Sequence, residues 1–144
     1  MKDEIEIEPR YSDTDQMGII YHANYLSYFE VARTNFFKNL GYSYRKLEDE
    51  GILLPVISAS CNYKHAIKFG DKIIIKVSIE YIKRIKLAFN YKIYRKRDEK
   101  LMATGQTEHG FVTKDLKPIR LKKLDKDFQK ILNRLKKWEE TLIF

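Results

Sequence analysis

A chain of 144 residues with 28 Lys and Arg against 20 Asp and Glu, a net charge of +8, is long enough for one packed domain and short for a full dinucleotide-binding fold. Hydrophobic residues at 44%, with ten Tyr and eight Phe, exclude a disordered chain. A single cysteine excludes an internal disulfide framework and a multi-cysteine zinc site. No apolar run approaches the roughly 20 residues needed to span a bilayer, and the opening residues lack the apolar segment of a signal peptide, so the expected address is the cytoplasm. The positive excess concentrates between Lys83 and Lys100 and between Lys117 and Lys137. No helix-turn-helix, zinc finger or RNA-binding aromatic motif accompanies it, so nucleic acid is not expected as the main partner. A phosphate-bearing small ligand stands beside plain solubility as the use of these charges.

Ile5 and Ile7 alternate with Glu6 and Glu8, which predicts a first strand over Glu4–Arg10. After a turn at Gly18, Tyr25, Phe29, Ala32, Phe36 and Leu40 recur at spacings of three and four. That pattern predicts a helix over Ala23–Leu40, with Asn24 as N-cap, Gly41 as C-terminal stop, and a polar face carrying Ser27, Arg33, Thr34 and Lys38. A short helix over Tyr44–Glu50 ends at Gly51. Four strands follow, Val56–Tyr63, Lys72–Ile82, Ile85–Arg95 and Leu101–Thr113, with turns at Gly70-Asp71 and Lys96–Lys100. In the second of these, Ile73, Ile75, Val77, Ile79 and Tyr81 share one face. Leu124, Phe128, Ile131, Leu135 and Trp138 then form the stripe of an amphipathic helix over about 124–140. A strand, a long helix and four strands in meander describe an α+β domain with an antiparallel sheet around a central helix. There is no repeat, linker or composition break, so one domain over 1–144 is expected, its core at about 5–122.

Chemistry concentrates in Asp13–Tyr25. Asp15 precedes a glycine turn and the start of the long helix, so its carboxylate can lie near the unsatisfied amides of a first helical turn. A carboxylate beside an oxyanion-stabilising helix N-terminus suits acyl transfer. The same spacing also suits an Asx-turn that merely ties down loop amides, and Asp13 fits that simpler role better. His22 sits where the helix begins, its amide aimed at whatever occupies the site. His65 and His109 have no acid or nucleophile at a telling distance and read as structural. Cys61 shares the apolar phase of its strand with Ile57, Ala59 and Tyr63, and reads as inert core. Glu30 and Arg33, at i and i+3, read first as an ion pair. No nucleophile elbow, phosphate-binding glycine loop or zinc-binding helix is present, and no metal or cofactor is expected.

The residues Asp15, Gly18, Ile20, Tyr21, His22, Tyr25, Tyr28, Glu30, Ala32 and Arg33, at these spacings, resemble the motif of hotdog-fold acyl-CoA thioesterases, in the branch of 4-hydroxybenzoyl-CoA thioesterase and the Tol–Pal-associated enzymes. Tyr63–Asp71 resembles that branch's Tyr, basic pair and Gly-Asp segment. Ala103–Thr107 resembles its penultimate strand and Lys117–Arg120 its final turn. His65-Ala66 departs from it where a proline is frequent before the alanine. The resemblance implies a hotdog fold, a homodimer with a continuous sheet that assembles to a homotetramer, and active sites at the subunit interface. It implies an acyl-CoA substrate, Asp15 as catalytic carboxylate, and the His22 amide and ring at the thioester. Gly18, Tyr21 and Tyr25 would border the substrate, and Lys64, Lys83 and Arg84 are the candidates for coenzyme A phosphates. Met17, Tyr21, Tyr25, Tyr28 and Phe29 are the candidates for an acyl pocket. A thiol leaving group of pKa about 8.5 departs without obligatory protonation, so such a site needs a nucleophile or base and an oxyanion donor, but no strong acid. The alternative is a hotdog domain that binds acyl-CoA or a protein partner without hydrolysing it.

Overall fold

The computed structural model describes residues 2–142, and side chains over 3–135. Its strands are β1 (Lys2–Ile7), β2 (Val56–Tyr63), β3 (Ile73–Lys83), β4 (Lys86–Arg95) and β5 (Lys100–Gly110). They form one antiparallel sheet in the order β1-β3-β4-β5-β2. The helices are α1 (Asn24–Asn39), α2 (Tyr44–Asp49) and α3 (Lys126–Leu142). None of the described helices is long and apolar enough to cross a membrane.

The α+β class agrees with the sequence pattern, but the connectivity differs. Only β3, β4 and β5 form a meander; β2 pairs with β5 at the far edge, and β1 pairs with β3 at the other. A meander of four was expected because consecutive strands usually pair. Here the Lys64–Lys72 segment carries the chain across the sheet, with Ile20 N–H donating to Ile67 O at 2.8 Å to hold it against the Asp15 loop.

The long helix α1 crosses the sheet from edge to edge. Sixteen residues give about 24 Å of helix, enough to span five strands at about 4.8 Å spacing. At its start Tyr25 meets Tyr63 of β2 edge-on at 4.8 Å. At its end Asn35 and Asn39 donate amide hydrogen bonds to Asp3 of β1 at 3.1 and 3.0 Å. Between them the Phe29 ring stacks on Tyr91 of β4 at 4.3 Å, and Phe36 and Phe37 meet Phe89 edge-on. Gly105 of β5 leaves room for the Phe29 ring: a methyl group there would overlap Phe29 Cε2 and Cζ. Gly41, at φ +79°, ends the helix as expected.

Several local expectations change. Asn24 is the first residue of α1 rather than its cap, and its side chain reaches back to Asp13 O at 2.8 Å. β1 ends at Ile7, before Pro9, which has no N–H to extend the ladder. In β3 the register shifts between Ile79 and Tyr81, so Ile82 rather than Tyr81 turns into the core. Arg33, assigned to the polar face of α1, is buried at 8% exposure. Ile57, Ala59 and Tyr63 of β2 are exposed and Cys61 is half-buried, because β2 lies at an edge that the core covers only in part. α3 begins at Lys126, with Asp125 Oδ2 capping the amides of Asp127 and Phe128. It buries Phe128, Ile131, Leu132 and Leu135, and Leu124 just before it is buried too, with Phe128 against Phe37, Tyr42 and Phe111. The Trp138 side chain lies outside the described ones.

The seat of α1 yields a stability test. Gly105→Ala is expected to cost about 1–3 kcal/mol through overpacking against Phe29, read as a lower denaturant midpoint at unchanged slope. A midpoint equal to the parent's would show that the ring moves aside freely.

Candidate active site

The loop before α1 is a compact, hydrogen-bonded unit. Gly18, at φ +75°, lets it turn back so that Gly18 N–H donates to Asp15 O at 3.0 Å and Asp15 N–H to Ile19 O at 2.9 Å. Asp15 Oδ1 accepts the Met17 N–H at 2.8 Å, so the Asx-turn foreseen as the simpler role is present. It uses one carboxylate oxygen; Oδ2 accepts no hydrogen bond among the described residues. Asp13 has a different task. Its Oδ2 accepts the Tyr28 hydroxyl at 2.9 Å and its carbonyl accepts the Asn24 amide and the Tyr21 N–H, which ties the loop to the first turns of α1. Burial and the Asp13 carboxylate push the Tyr28 phenol up, so Tyr28 remains a donor at all ordinary pH values.

Asp15 and His22 share a cavity of about 230 Å³ whose wall also includes Met17, Tyr25, Tyr63, Lys64 and His65. The His22 ring leans on Tyr21 at 4.5 Å, and its carbonyl accepts the Tyr63 hydroxyl at 2.8 Å. The N–H groups of His22 and Ala23, immediately before α1, donate to no group among the described residues. They carry the positive end of the helix dipole. Tyr25 is buried, and desolvation pushes its phenol up to about 12. The cavity therefore presents a half-buried carboxylate with one uncommitted oxygen, and its wall includes His22, whose N–H is uncommitted.

Six of the candidates from the sequence, Asp15, Gly18, Tyr21, His22, Tyr25 and Lys64, come together around this loop. Lys83 and Arg84 do not. They lie at the far end of β3, about 30 Å along the strand from Ile73. There Lys83 Nζ sits over the Tyr81 ring at 4.5 Å, and Arg84 lines a cleft of about 560 Å³ with Arg120 and Lys122. Tyr63 and His65 enter the cavity wall without having been candidates. Their proximity to Lys64 was the available signal, but only the chain crossing from β2 to β3 brings them to the Asp15 loop.

The ion pair expected between Glu30 and Arg33 is absent: Arg33 pairs with no carboxylate among the described residues. It lies instead beside the phenols of Tyr44 and Tyr91 and near His109. His109 is fully buried and structural, as read from the sequence. Leu54 O can only accept, so His109 Nδ1 donates to it at 3.1 Å. Its Nε2 then accepts the Thr107 hydroxyl at 2.8 Å, and Thr107 Oγ1 accepts the Tyr91 hydroxyl at 2.6 Å. Burial, assisted by Arg33, holds the His109 pKa down at about 4.

That depression has a sign. The unfolded chain takes up the proton near pH 6.5 and the folded chain only near 4, so the stability it contributes is full above about 6.5 and is lost as pH falls toward 4. The loss is on the order of 3 kcal/mol for an isolated site. Denaturation midpoints measured from pH 7 to pH 4 are expected to fall in that window. His109→Gln, which keeps a donor and an acceptor but no titration, is expected to flatten the decline.

The model of the thioesterase-like superfamily matches residues 9–132. A putative acyl-CoA thioesterase of Bacillus subtilis, YneP, is 38% identical over 133 residues, covering 92% of this chain and 96% of that protein. Among solved structures, a DHNA-CoA thioesterase from Staphylococcus aureus superposes with a TM-score of 0.92 at 35% identity, covering 97% of this chain and 94% of that one. A 4-hydroxybenzoyl CoA thioesterase in complex with 4-hydroxybenzoyl CoA superposes at 0.80 with 18% identity, covering 91% and 98%, a likeness of fold alone.

Proposed function

This chain belongs to the thioesterase-like superfamily and is an acyl-CoA thioesterase of hotdog fold, and on that premise we propose that Asp15 drives hydrolysis with the His22 amide as oxyanion donor. The observation that carries the reading is the pairing, in one cavity, of a carboxylate oxygen and helix N-terminal amides that have no partners of their own. The thioester carbonyl fits between them: the amides stabilise negative charge as it develops on oxygen. Asp15 Oδ2 either attacks the carbonyl carbon to form an anhydride or takes a proton from an attacking water. In both routes the thiolate leaves without a general acid. The Met17 N–H on Oδ1 fixes the orientation of the carboxylate. The His22 ring borders the site beside Tyr21.

The working unit is a homodimer formed through β2, assembling further to a tetramer. β2 is an uncharged strand of eight residues at a sheet edge, with Val56, Ile57 and Tyr63 about half exposed, next to exposed Leu26 and Val31 of α1. An edge of that kind is a template for another strand, whereas β1, with Lys2, Asp3, Glu4 and Glu6, is blunted by charge. A two-fold axis through the edge makes the pairing antiparallel. It sets the β2 end that adjoins one Asp15 cavity beside the β2 start of the partner subunit. It also turns the partner subunit's Arg84 end of the sheet toward that cavity, a use for Lys83 and Arg84 as coenzyme A phosphate contacts that a single subunit does not offer. The acyl class that the Staphylococcus relative suggests is a hydroxylated aromatic acid. Against a non-hydrolytic role stands the second Asp15 oxygen, which the loop does not use and a pure binder does not need.

Release of free thiol from a panel of acyl-CoAs tests the catalytic reading. Asp15→Asn is expected to remove at least 99% of turnover with melting temperature and acyl-CoA binding retained; turnover near the parent's would overturn it. His22→Ala is expected to lose less, because the backbone amide remains. Ile57→Lys, which would bury a lysine at each end of the β2 pairing, is expected to convert the dimer to monomers in size-exclusion chromatography with light scattering, and to lose activity with it.

A further inference from the structure

The first turn of α1 is secured through its carbonyls. A helix start is ordinarily tied down by a Ser, Thr, Asp or Asn side chain at the N-cap, which accepts from the free amides. Here the N-cap is Ala23, which has no such side chain, and Asn24, one place on, turns its amide back to Asp13 O. The Tyr21 carbonyl accepts the Asn24 N–H at 2.9 Å. The His22 carbonyl accepts the Tyr63 hydroxyl at 2.8 Å and the Tyr25 N–H at a longer 3.4 Å. The peptide planes on both sides of His22 are thus held by their oxygens. Securing the turn through acceptors leaves the His22 N–H free.

Tyr63 is the one contact in this set that comes from a distant part of the chain. It is the last residue of β2, in register with Ala103 of β5. The next two amides, of Lys64 and His65, both donate to Met102 O, at 2.9 and 3.1 Å, so the backbone is anchored where the chain leaves the sheet. The ring is held as well: buried Tyr25 meets it edge-on at 4.8 Å, and the His22 ring lies across it at 6.4 Å. Both the mount and the aim of the hydroxyl are therefore fixed. We propose that Tyr63 is a positioning residue for the oxyanion donor: its hydroxyl holds the His22 carbonyl and so sets the direction of the His22 N–H toward the thioester oxygen. The proposal rests on the catalytic reading of Asp15 and His22 and adds to it the group that aims the donor. The hydroxyl touches no reacting atom in this role, since its single proton is committed to the His22 carbonyl. An oxyanion donor works by pointing at the developing charge beforehand, so that no reorganisation is needed during the reaction. Without Tyr63 the His22 carbonyl keeps only the long contact from Tyr25, and the peptide loosens.

Tyr63→Phe removes the hydroxyl and keeps the ring between Tyr25 and His22. Thiol release is followed to saturation with benzoyl-, 4-hydroxybenzoyl- and butyryl-CoA. The variant is expected to lower kcat about 3–10-fold, the worth of one neutral hydrogen bond and short of the roughly 10²–10³-fold for loss of a donor. KM is expected to stay within about twofold of the parent's, a split that a general loosening of the fold would not produce. The loss is expected to keep its size in a His22→Ala background, because it passes through the main chain and not through the imidazole. A second readout needs no turnover. The chain holds two His-Ala pairs, His22-Ala23 and His65-Ala66, so protein labelled at histidine carbonyl carbon and alanine nitrogen gives two signals in a carbonyl-correlated amide spectrum. In Tyr63→Phe the His22 carbonyl resonance is expected to move upfield, as an acceptor does on losing its donor, and the His65 resonance to move less. A kcat near the parent's, a loss carried by KM alone, a loss that vanishes in the His22→Ala background, or an unmoved His22 carbonyl would each overturn the positioning role and leave the catalytic reading intact. Thiol release from none of the three thioesters by the parent, or parent-like turnover in Asp15→Asn, would overturn the catalytic reading and the proposal with it.

Discussion

Everything functional in this chain depends on how α1 is seated on the sheet. The seat is one contact: the Phe29 ring lies in the gap that Gly105 leaves in β5, with Tyr91 stacked on its face. A helix held there cannot slide along its axis or roll without driving Phe29 into β5 backbone, because packed interiors have no spare volume. That fixes the height of the first turn of α1 above the sheet. It therefore fixes where the unpartnered amides of His22 and Ala23 stand relative to the loop that carries Asp15. The loop is then tied to the same helix by Asp13, whose carboxylate and carbonyl receive Tyr28, Asn24 and Tyr21. Two adjacent acids divide the labour: Asp13 spends its acceptors on structure, and Asp15 keeps one oxygen in reserve.

This division explains which parts of the architecture were legible in the sequence. Periodicity located α1, α2 and the strands within a few residues, because side chains on one face of each element meet a dry core. The Gly18 and Gly41 turns were legible because positive φ leaves few other residue choices. Asp15 stood out through its spacing to the helix start and through the motif running on to Arg33. What periodicity could not reveal was pairing order, since β2 reads like any other strand yet joins the sheet at the far edge. Nor could it show the shift at Tyr81, which moves Ile82 into the core by a single unpaired residue. Lys83 and Arg84 resembled ligand contacts in the chain but sit remote from Asp15 within one subunit. The proposed dimer is what would bring such a pair to the site.

The misreading of β2 and of Arg33 share a cause. Alternation in Val56–Tyr63 says that one face meets apolar surface, and a monomer view assigns that surface to its own core. In the fold, Ile57 and Ala59 face out, and Cys61 alone is half-buried. The proposed dimer would supply the apolar partner from outside the subunit. Arg33 shows the converse. A charged residue three positions from Glu30 reads as a solvated ion pair, yet its side chain is turned inward among Tyr44, Tyr91 and His109.

That inward turn is costly enough to need a reason. A methionine of similar length would fill the space without the desolvation penalty of a guanidinium, which Arg33 offsets in part against the phenols of Tyr44 and Tyr91. The neighbouring His109 does not offset it, since burial keeps that ring neutral and the proximity of Arg33 pushes the same way. The chain Tyr91–Thr107–His109–Leu54 is satisfied from end to end without Arg33. A polar network that is complete in itself holds β4, β5 and the start of β2 in register, and Arg33 stands beside it in the wall of a cavity that Glu30 and Glu48 also line.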